Sequence, residues 1–227
     1  MGIPSVMNTT ELADYAKTLK LETEWVWYGH HPCGSNTYSK AYVELGRFCT
    51  VFDFWQHYNA FPSIDAVYDG TVRINGSLIV AYSVFRSGVR PEWEDPVNSG
   101  GSEWGCRETL DRVTFRYLWE TYVLDAIGEN IPHCVGIRAI NKTNRSRLLH
   151  KLEVWSDKIE ANMVLETRNA LQNLAISPLK FVLMPHQVKQ TQAFEYQRQR
   201  RRRSSSVVSS VESDDADVVE SDEIYVG

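Results

Sequence analysis

Residues 41–58, AYVELGRFCTVFDFWQHY, carry two periodicities back to back. From Ala41 to Phe48 the chain is rich in aromatic and branched side chains and reads as extended. From Val51 onward, Val51, Phe54, Trp55 and Tyr58 fall at i, i+3, i+4 and i+7, the spacing of one helix face. Thr50 stands where a cap belongs and Asp53 in the first turn. A strand therefore runs straight into a helix. The same two signatures recur along the chain. Leu110, Val113, Tyr117, Leu118, Leu124 and Ile127 trace a longer helix that Gly128 ends. Ile159, Met163, Ala170, Leu171 and Leu174 mark a third, opened by Ser156 or Asp157 and closed before Pro178. Extended segments are expected at 24–28, 41–48, 78–85, 103–107, 135–141, 149–155 and 179–184. Strands in runs with three separated helices predict an α+β domain, with helices on one face of a mostly antiparallel sheet. The other face is then solvated or holds a ligand.

The 227 residues, 43% of them apolar, suffice for one buried core with tails. Seven Trp and eleven Tyr point to a Trp-rich core or to aromatic surfaces. A net charge of −5 argues against a protein that coats nucleic acid by charge alone. No long apolar run and no leader-like N-terminus stands in the sequence, so neither a membrane span nor secretion is expected. Cys33, Cys49, Cys106 and Cys134 are scattered, without a C-x-x-C pair, and read as reduced thiols with no structural metal. From Arg198 the composition changes: a block of arginines, a Ser/Val stretch from Ser204 to Ser210, then an acidic end from Glu212 to Glu223. Residues 198–227 are expected to be a disordered tail and 1–14 a loose arm, leaving 15–197 as the domain. Arg200 to Ser206 has the composition of a nuclear-import signal or a kinase target, although charge runs most often only solvate a chain.

Chemistry is suggested by Pro91-Glu92-Trp93-Glu94-Asp95, between a strand ending near Phe85 and the polar run Asn98-Ser99-Gly100-Gly101. A Trp in such a loop belongs at the surface more often than in the core. A carboxylate beside an exposed aromatic suits a planar base: the ring stacks on its face and the acid accepts from its edge. The alternative is a Trp that staples the loop to the sheet. No P-loop, metal-spaced His/Asp cluster or nucleophile motif is present, and His30-His31-x-Cys33 reads as a polar loop, so no enzyme and no cofactor is expected.

Trp93-Glu94-Asp95 following Tyr82-x-x-Phe85-x-x-Gly88-x-x-Pro91 resembles the signature of the initiation factor 4E family, the cytoplasmic mRNA cap-binding proteins. Val51-x-Asp53-Phe54-Trp55-x-x-Tyr58-Asn59 resembles the family's first helix, Trp119 through Ile127-Gly128-Glu129 its second, and Lys151-x-x-x-Trp155 its late strand. Gly100-Gly101-x-x-Trp104 follows at the family's spacing. The resemblance implies a curved antiparallel sheet with three helices on its convex face and a slot for the 7-methylguanosine cap on the concave one. Methylation at N7 makes the base cationic, so each flanking ring adds cation–π attraction of roughly 0.5–2 kcal/mol to stacking.

By position, Trp93 and Tyr38 match the sandwich, Glu94 the acid that reads the guanine edge, and Trp155 the residue that touches the methyl group. The main family members have Trp where Tyr38 stands, and Tyr there resembles a divergent branch that binds caps less tightly and often represses. Trp155 at a strand end is otherwise plain core. Lys151 matches a phosphate ligand; the family's other cation, an Arg, is represented here by Lys142, Arg145 and Arg147 as a group. Val51, Trp55, Leu124 and Gly128 match the convex surface that receives a helical peptide from the scaffold factor 4G or a competing 4E-binding regulator. The family's His-Pro-hydrophobic stretch is replaced by Leu19-Lys20-Leu21, and Thr121 stands where an acid is usual. The expected function is therefore cap binding and scaffold recruitment in translation initiation, as a monomer within a heteromeric, cytoplasmic complex. A regulatory or repressing isoform is the alternative. A nuclear share follows if the arginine block acts as an import signal.

Overall fold

The structure, a computed structural model, describes residues 8–32, 41–106, 109–143, 148–157, 160, 163–175 and 179–187. Helix α1 (Thr9–Thr18) leads into strands β1 (Lys20–His30) and β2 (Tyr42–Thr50), then helices α2 (Val51–Ala60) and α3 (Ile64–Asp69). A small hairpin, β3 (Arg73–Ile74) and β4 (Ser77–Leu78), precedes β5 (Ala81–Arg86), α4 (Pro96–Ser99) and β6 (Ser102–Cys106). Then follow α5 (Arg112–Ile127), β7 (Cys134–Asn141), β8 (His150–Ser156), α6 (Val164–Asn173) and β9 (Phe181–Pro185). Seven strands pair antiparallel into one open sheet, in the order β2-β1-β5-β7-β8-β6-β9. The expected α+β architecture and all seven expected strands are present. Among the described residues no helix is long and apolar enough to cross a membrane.

Side chains alternate across each strand, and the two faces diverge in character. Trp25 and Trp27 of β1, Tyr82 and Val84 of β5, Ile137 and Ala139 of β7, and Leu152 and Val154 of β8 form one apolar face. Phe54 of α2, Phe115, Leu118 and Trp119 of α5, and Leu171 of α6 close over it. Trp27 sits at the centre, with the rings of Phe54, Tyr82 and Trp119 at 6.0, 6.1 and 5.7 Å. At about 25 cal/mol per Å² of apolar area, each buried ring contributes several kcal/mol, so these residues dominate the core energy.

The helices begin and end where their caps dictate. Thr50 accepts from the Asp53 amide at the start of α2, and Asp111 from the Thr114 amide at the start of α5. The Gly128 amide closes α5 on the Leu124 carbonyl. Two expectations need correction. Part of the supposed loose arm is helix α1, held by a capping box in which Asn8 and Glu11 satisfy each other's backbone amides. It docks on α2 through Lys17, whose ammonium lies 5.0 Å from the centre of the Phe52 ring. The third helix starts at Val164, not near 157: Ser156 ends β8, and the Asp157 carboxylate is bonded to His133 at 3.1 Å. The expected end of the domain at 197 lies outside the described residues, as does the tail expected from 198.

Candidate functional site

Five of the seven Trp side chains are buried: Trp25, Trp27, Trp104, Trp119 and Trp155. The two that the core does not absorb, Trp93 and Trp55, stand at the two places singled out in the sequence.

Trp93 is half-buried on a turn between β5 and α4. Its ring packs on a second apolar cluster on the sheet face away from the helices, formed by Val26, Tyr28, Phe85, Val89, Val135 and Trp155. The turn is built from polar residues. Asp95 caps α4 by accepting from the Val97 amide and also receives the Arg90 amide. Asn98, fully buried, donates from one amide nitrogen to the carbonyls of Arg90 and Glu92, at 2.7 and 2.8 Å. Glu92 accepts from the Tyr42 hydroxyl at 2.7 Å, tying the turn to the first residue of β2. Glu92 and Asp95 are thus consumed in holding the loop, whereas Glu94, next to Trp93, is exposed. Gly101 explains the Gly-Gly signal: a Cβ there would stand 2.2 Å from the Ser156 carbonyl oxygen, so β6 enters the sheet beside β8 only without one.

Trp155 is 1% exposed. It sits edge-on to Phe85 at 5.3 Å and 4.5 Å from the His186 ring, in the cluster on which Trp93 rests. Its indole donates to Glu153 at 3.2 Å. Lys151, Glu153 and Trp155 share the helix-free face by strand alternation, and the register sets Arg138 opposite Glu153 and Glu103 opposite Trp155. The Lys151 ammonium lies between Glu103 and Glu153. Burial opposes its charge, but the two carboxylates outweigh that and hold its pKa above the ordinary lysine value. A cavity of about 210 Å³ opens at this end of the sheet, lined by His30, Tyr42, Pro91, Arg138, Ile140 and Lys142 among others. Lys142 is among the residues that line it. Tyr38, Arg145 and Arg147 lie outside the described residues.

His30 is buried in the cavity wall, its Nε2 2.7 Å from the Ser83 hydroxyl. Burial, reinforced by nearby Arg138, holds its pKa well below the ordinary 6.5. His150, stacked on Tyr68 at 3.7 Å, is lowered as well, chiefly by burial. Both imidazoles hold a proton less readily in the folded chain than in the unfolded one, so below about pH 6.5 the unfolded chain binds more protons and stability falls as the solution is acidified. The urea midpoint is expected to drop between pH 7.5 and pH 5, and less steeply in His30→Gln. A midpoint that is flat in the wild type contradicts this.

On the helix-covered side, Trp55 is 42% and Leu124 40% exposed. With Phe54, Tyr58, Glu120 and Val123 they line an apolar depression of about 210 Å³ between α2 and α5. The Tyr58 hydroxyl donates to Glu120 and braces the floor. Val51, half-buried, is the first residue of α2, and Gly128 ends α5; neither lines the depression itself.

Sequence reasoning misses Arg138, Glu103 and Glu153 on the open face, and Tyr42, Glu92 and Asn98 behind the Trp93 turn. The alternation Lys151-x-Glu153-x-Trp155 is a signal for one of them.

A family model described as eukaryotic initiation factor 4E matches residues 20–211. Eukaryotic translation initiation factor 4E-2 of Schizosaccharomyces pombe is 30% identical over 157 residues, 67% of this chain and 59% of its own length. Initiation factor 4E of Eremothecium gossypii is 32% identical over 124 residues, 54% of each chain. The chain thus spans little more than half the length of these curated relatives. Among solved structures, C. elegans eIF4E-3 in complex with the 4E-binding protein Mextli superposes with a TM-score of 0.60 at 21% identity, covering 75% of this chain and 95% of that one. Ascaris suum eIF4E-3 with an m2,2,7G cap gives 0.57 at 20% identity, over 74% and 91%. At such identities these two likenesses speak to the fold alone. With a family model spanning most of its length and a sheet-and-helix arrangement to match, the chain belongs to the eukaryotic initiation factor 4E family.

Proposed function

We propose that this protein binds the 7-methylguanosine cap of mRNA on the open sheet face and a helical peptide on the opposite one, as a non-enzymatic factor of cytoplasmic translation initiation. The observation that carries the reading is the placement of Trp93 and Trp55, the two indoles outside the core, on opposite sides of the sheet. Stacking of Trp93 on a cationic purine, with Glu94 accepting from the guanine N1 and N2 donors, accounts for an aromatic and an acid on one braced turn. Tyr38 supplies the second ring, while Trp155, buried in the cluster beneath Trp93, supports the floor of the slot and does not reach the ligand. Lys142, Arg145, Arg147 and Lys151 are the phosphate cations. Val51, Trp55, Leu124 and Gly128 receive a scaffold factor 4G-type segment or a 4E-binding regulator. Related structures of eIF4E-3 carry a cap analogue with the 4E-binding protein Mextli, or an m2,2,7G cap, and support both halves of the reading.

The test is retention on 7-methyl-GTP resin. The full chain is expected to bind and to elute with 7-methyl-GTP but not with GTP. Equal elution by both nucleotides rejects the reading.

A further inference from the structure

The turn that carries Trp93 takes its shape from short-range bonds and its place from long ones. Asp95 accepts from the Arg90 amide and lies 3.4 Å from the Arg90 Nε, and Asn98 gathers the carbonyls of Arg90 and Glu92. These partners are neighbours in the chain, so their bonds fold the turn without themselves fixing it to the sheet. At the α4 end, the His186 Nδ1 lies 2.7 Å from the Asn98 carbonyl oxygen. At the Trp93 end, the Tyr42 hydroxyl donates to Glu92 Oε1 at 2.7 Å, across 50 residues of chain. Glu92 is 8% exposed, and its second oxygen lies 3.2 Å from the Arg90 Nη1. The Tyr42 ring is itself held by packing, edge-on to Tyr28 at 5.4 Å and 5.9 Å from the His30 ring. Burial and the bond to Glu92 raise the Tyr42 pKa above the ordinary 10, so the hydroxyl stays a donor at neutral pH. Tyr42 and Pro91 line the same cavity, and Tyr42 and Trp93 rest on the same apolar cluster.

We propose that Tyr42 is a positioning residue for cap binding: through Glu92, its hydroxyl holds the Trp93 turn in the binding geometry before the nucleotide arrives. The inference rests on the cap-binding reading above. Pro91 and Trp93 stand on either side of Glu92 in the chain, so a carboxylate anchored to β2 fixes the link between a cavity wall and the stacking ring. Without that anchor the turn keeps its local bonds but swings as a unit, and only the molecules with Trp93 in place can bind. Apparent affinity then falls by the competent fraction, whereas a preset turn avoids the ordering cost. A hydrogen bond to a carboxylate shielded from water is strong enough to bias such an equilibrium several-fold. Tyr42 also opens the strand that follows Tyr38 in the sequence, so the bond joins the chain segments that carry both proposed rings. The device acts on the base end of the ligand and leaves the phosphate cations untouched.

The experiment is a fluorescence titration of the full chain and its variants with 7-methyl-GTP and 7-methyl-GMP, beside a circular-dichroism melt that reports the fold of each. Tyr42→Phe keeps the ring and removes the donor. It is expected to bind both nucleotides about fivefold more weakly, by the same factor for each. Stopped-flow mixing is expected to place the loss in the association rate, with dissociation changed by less than about twofold. Glu92→Ala is expected to lose as much, and the double variant Tyr42→Phe/Glu92→Ala no more than either single one. Glu92→Gln still offers an oxygen to the hydroxyl and is expected to stay within about twofold of wild type. A folded Tyr42→Phe at wild-type affinity overturns the proposal, as do losses that multiply in the double variant or a loss confined to the dissociation rate. If Tyr42→Phe does not fold, Glu92→Ala and Glu92→Gln decide, and equal affinities for the two overturn it. A wild type that binds neither methylated nucleotide sinks the cap-binding reading itself, and this inference with it.

Discussion

Trp93→Ala lowers affinity for 7-methyl-GTP roughly a hundredfold, about 3 kcal/mol, and the variant is lost from cap resin. The size follows from what the ring does. On the proposed reading it presents one aromatic face to a cationic base, which the exposed acid beside it cannot hold alone. The fold is expected to survive, because the turn is held by Asn98, Asp95 and the Tyr42–Glu92 bond, none of which involves the indole. The thermal midpoint therefore shifts little while binding collapses, and a circular-dichroism melt run beside the resin assay separates the two effects. A variant retained as well as wild type removes Trp93 from the site.

Trp55→Ala has the converse signature. Cap-resin retention is unchanged, while binding of a helical segment from scaffold factor 4G or a 4E-binding regulator weakens by about thirtyfold or more, the cost of truncating an interface hot spot. Trp55 packs edge-on against Phe54 and Tyr58 at 5.1 and 5.2 Å, yet nearly half of it faces solvent beside Leu124. Its removal leaves an open depression with less apolar area to offer a partner, not a sealed cavity in the core. Calorimetry with the peptide, on protein preloaded with 7-methyl-GTP, reads this directly. Loss of nucleotide binding in the same variant contradicts the separation of the two faces.

The helix and strand periods make much of this architecture legible. The switch from strand to helix at Thr50 is explicit in the chain, and the same period rules locate all seven sheet strands. Helices α3 and α4, of six and four residues, are too short to display a 3.6-residue repeat. Helix α1 reads as a loose arm because none of its residues is fully buried; the Asn8–Glu11 box, the Lys17–Asp14 pair and the Lys17 contact with the Phe52 ring help to hold it. The start of α6 is misplaced by its sequence because Ser156 and Asp157, good caps by composition, are spent on β8 and His133.

The site divides in the same way. Trp93, Glu94, Lys151 and Trp155 follow from motif spacing and resemblance. The acids around Lys151 do not, because Glu103 meets it only through the adjacency of β6 and β8, forty-eight residues apart in the chain. Likewise Tyr42 and Glu92 are joined across 50 residues by a contact that no local pattern records. Cross-strand pairing is a property of sheet order, and one sequence alone does not display it.

The most direct test of the account is a tryptophan-fluorescence titration of the full chain with 7-methyl-GTP and with GTP under identical conditions. The expected result is saturable quenching by 7-methyl-GTP at concentrations about tenfold or more below those GTP requires, since only the methylated base carries the charge that the rings attract. Superimposable curves for the two nucleotides would contradict it.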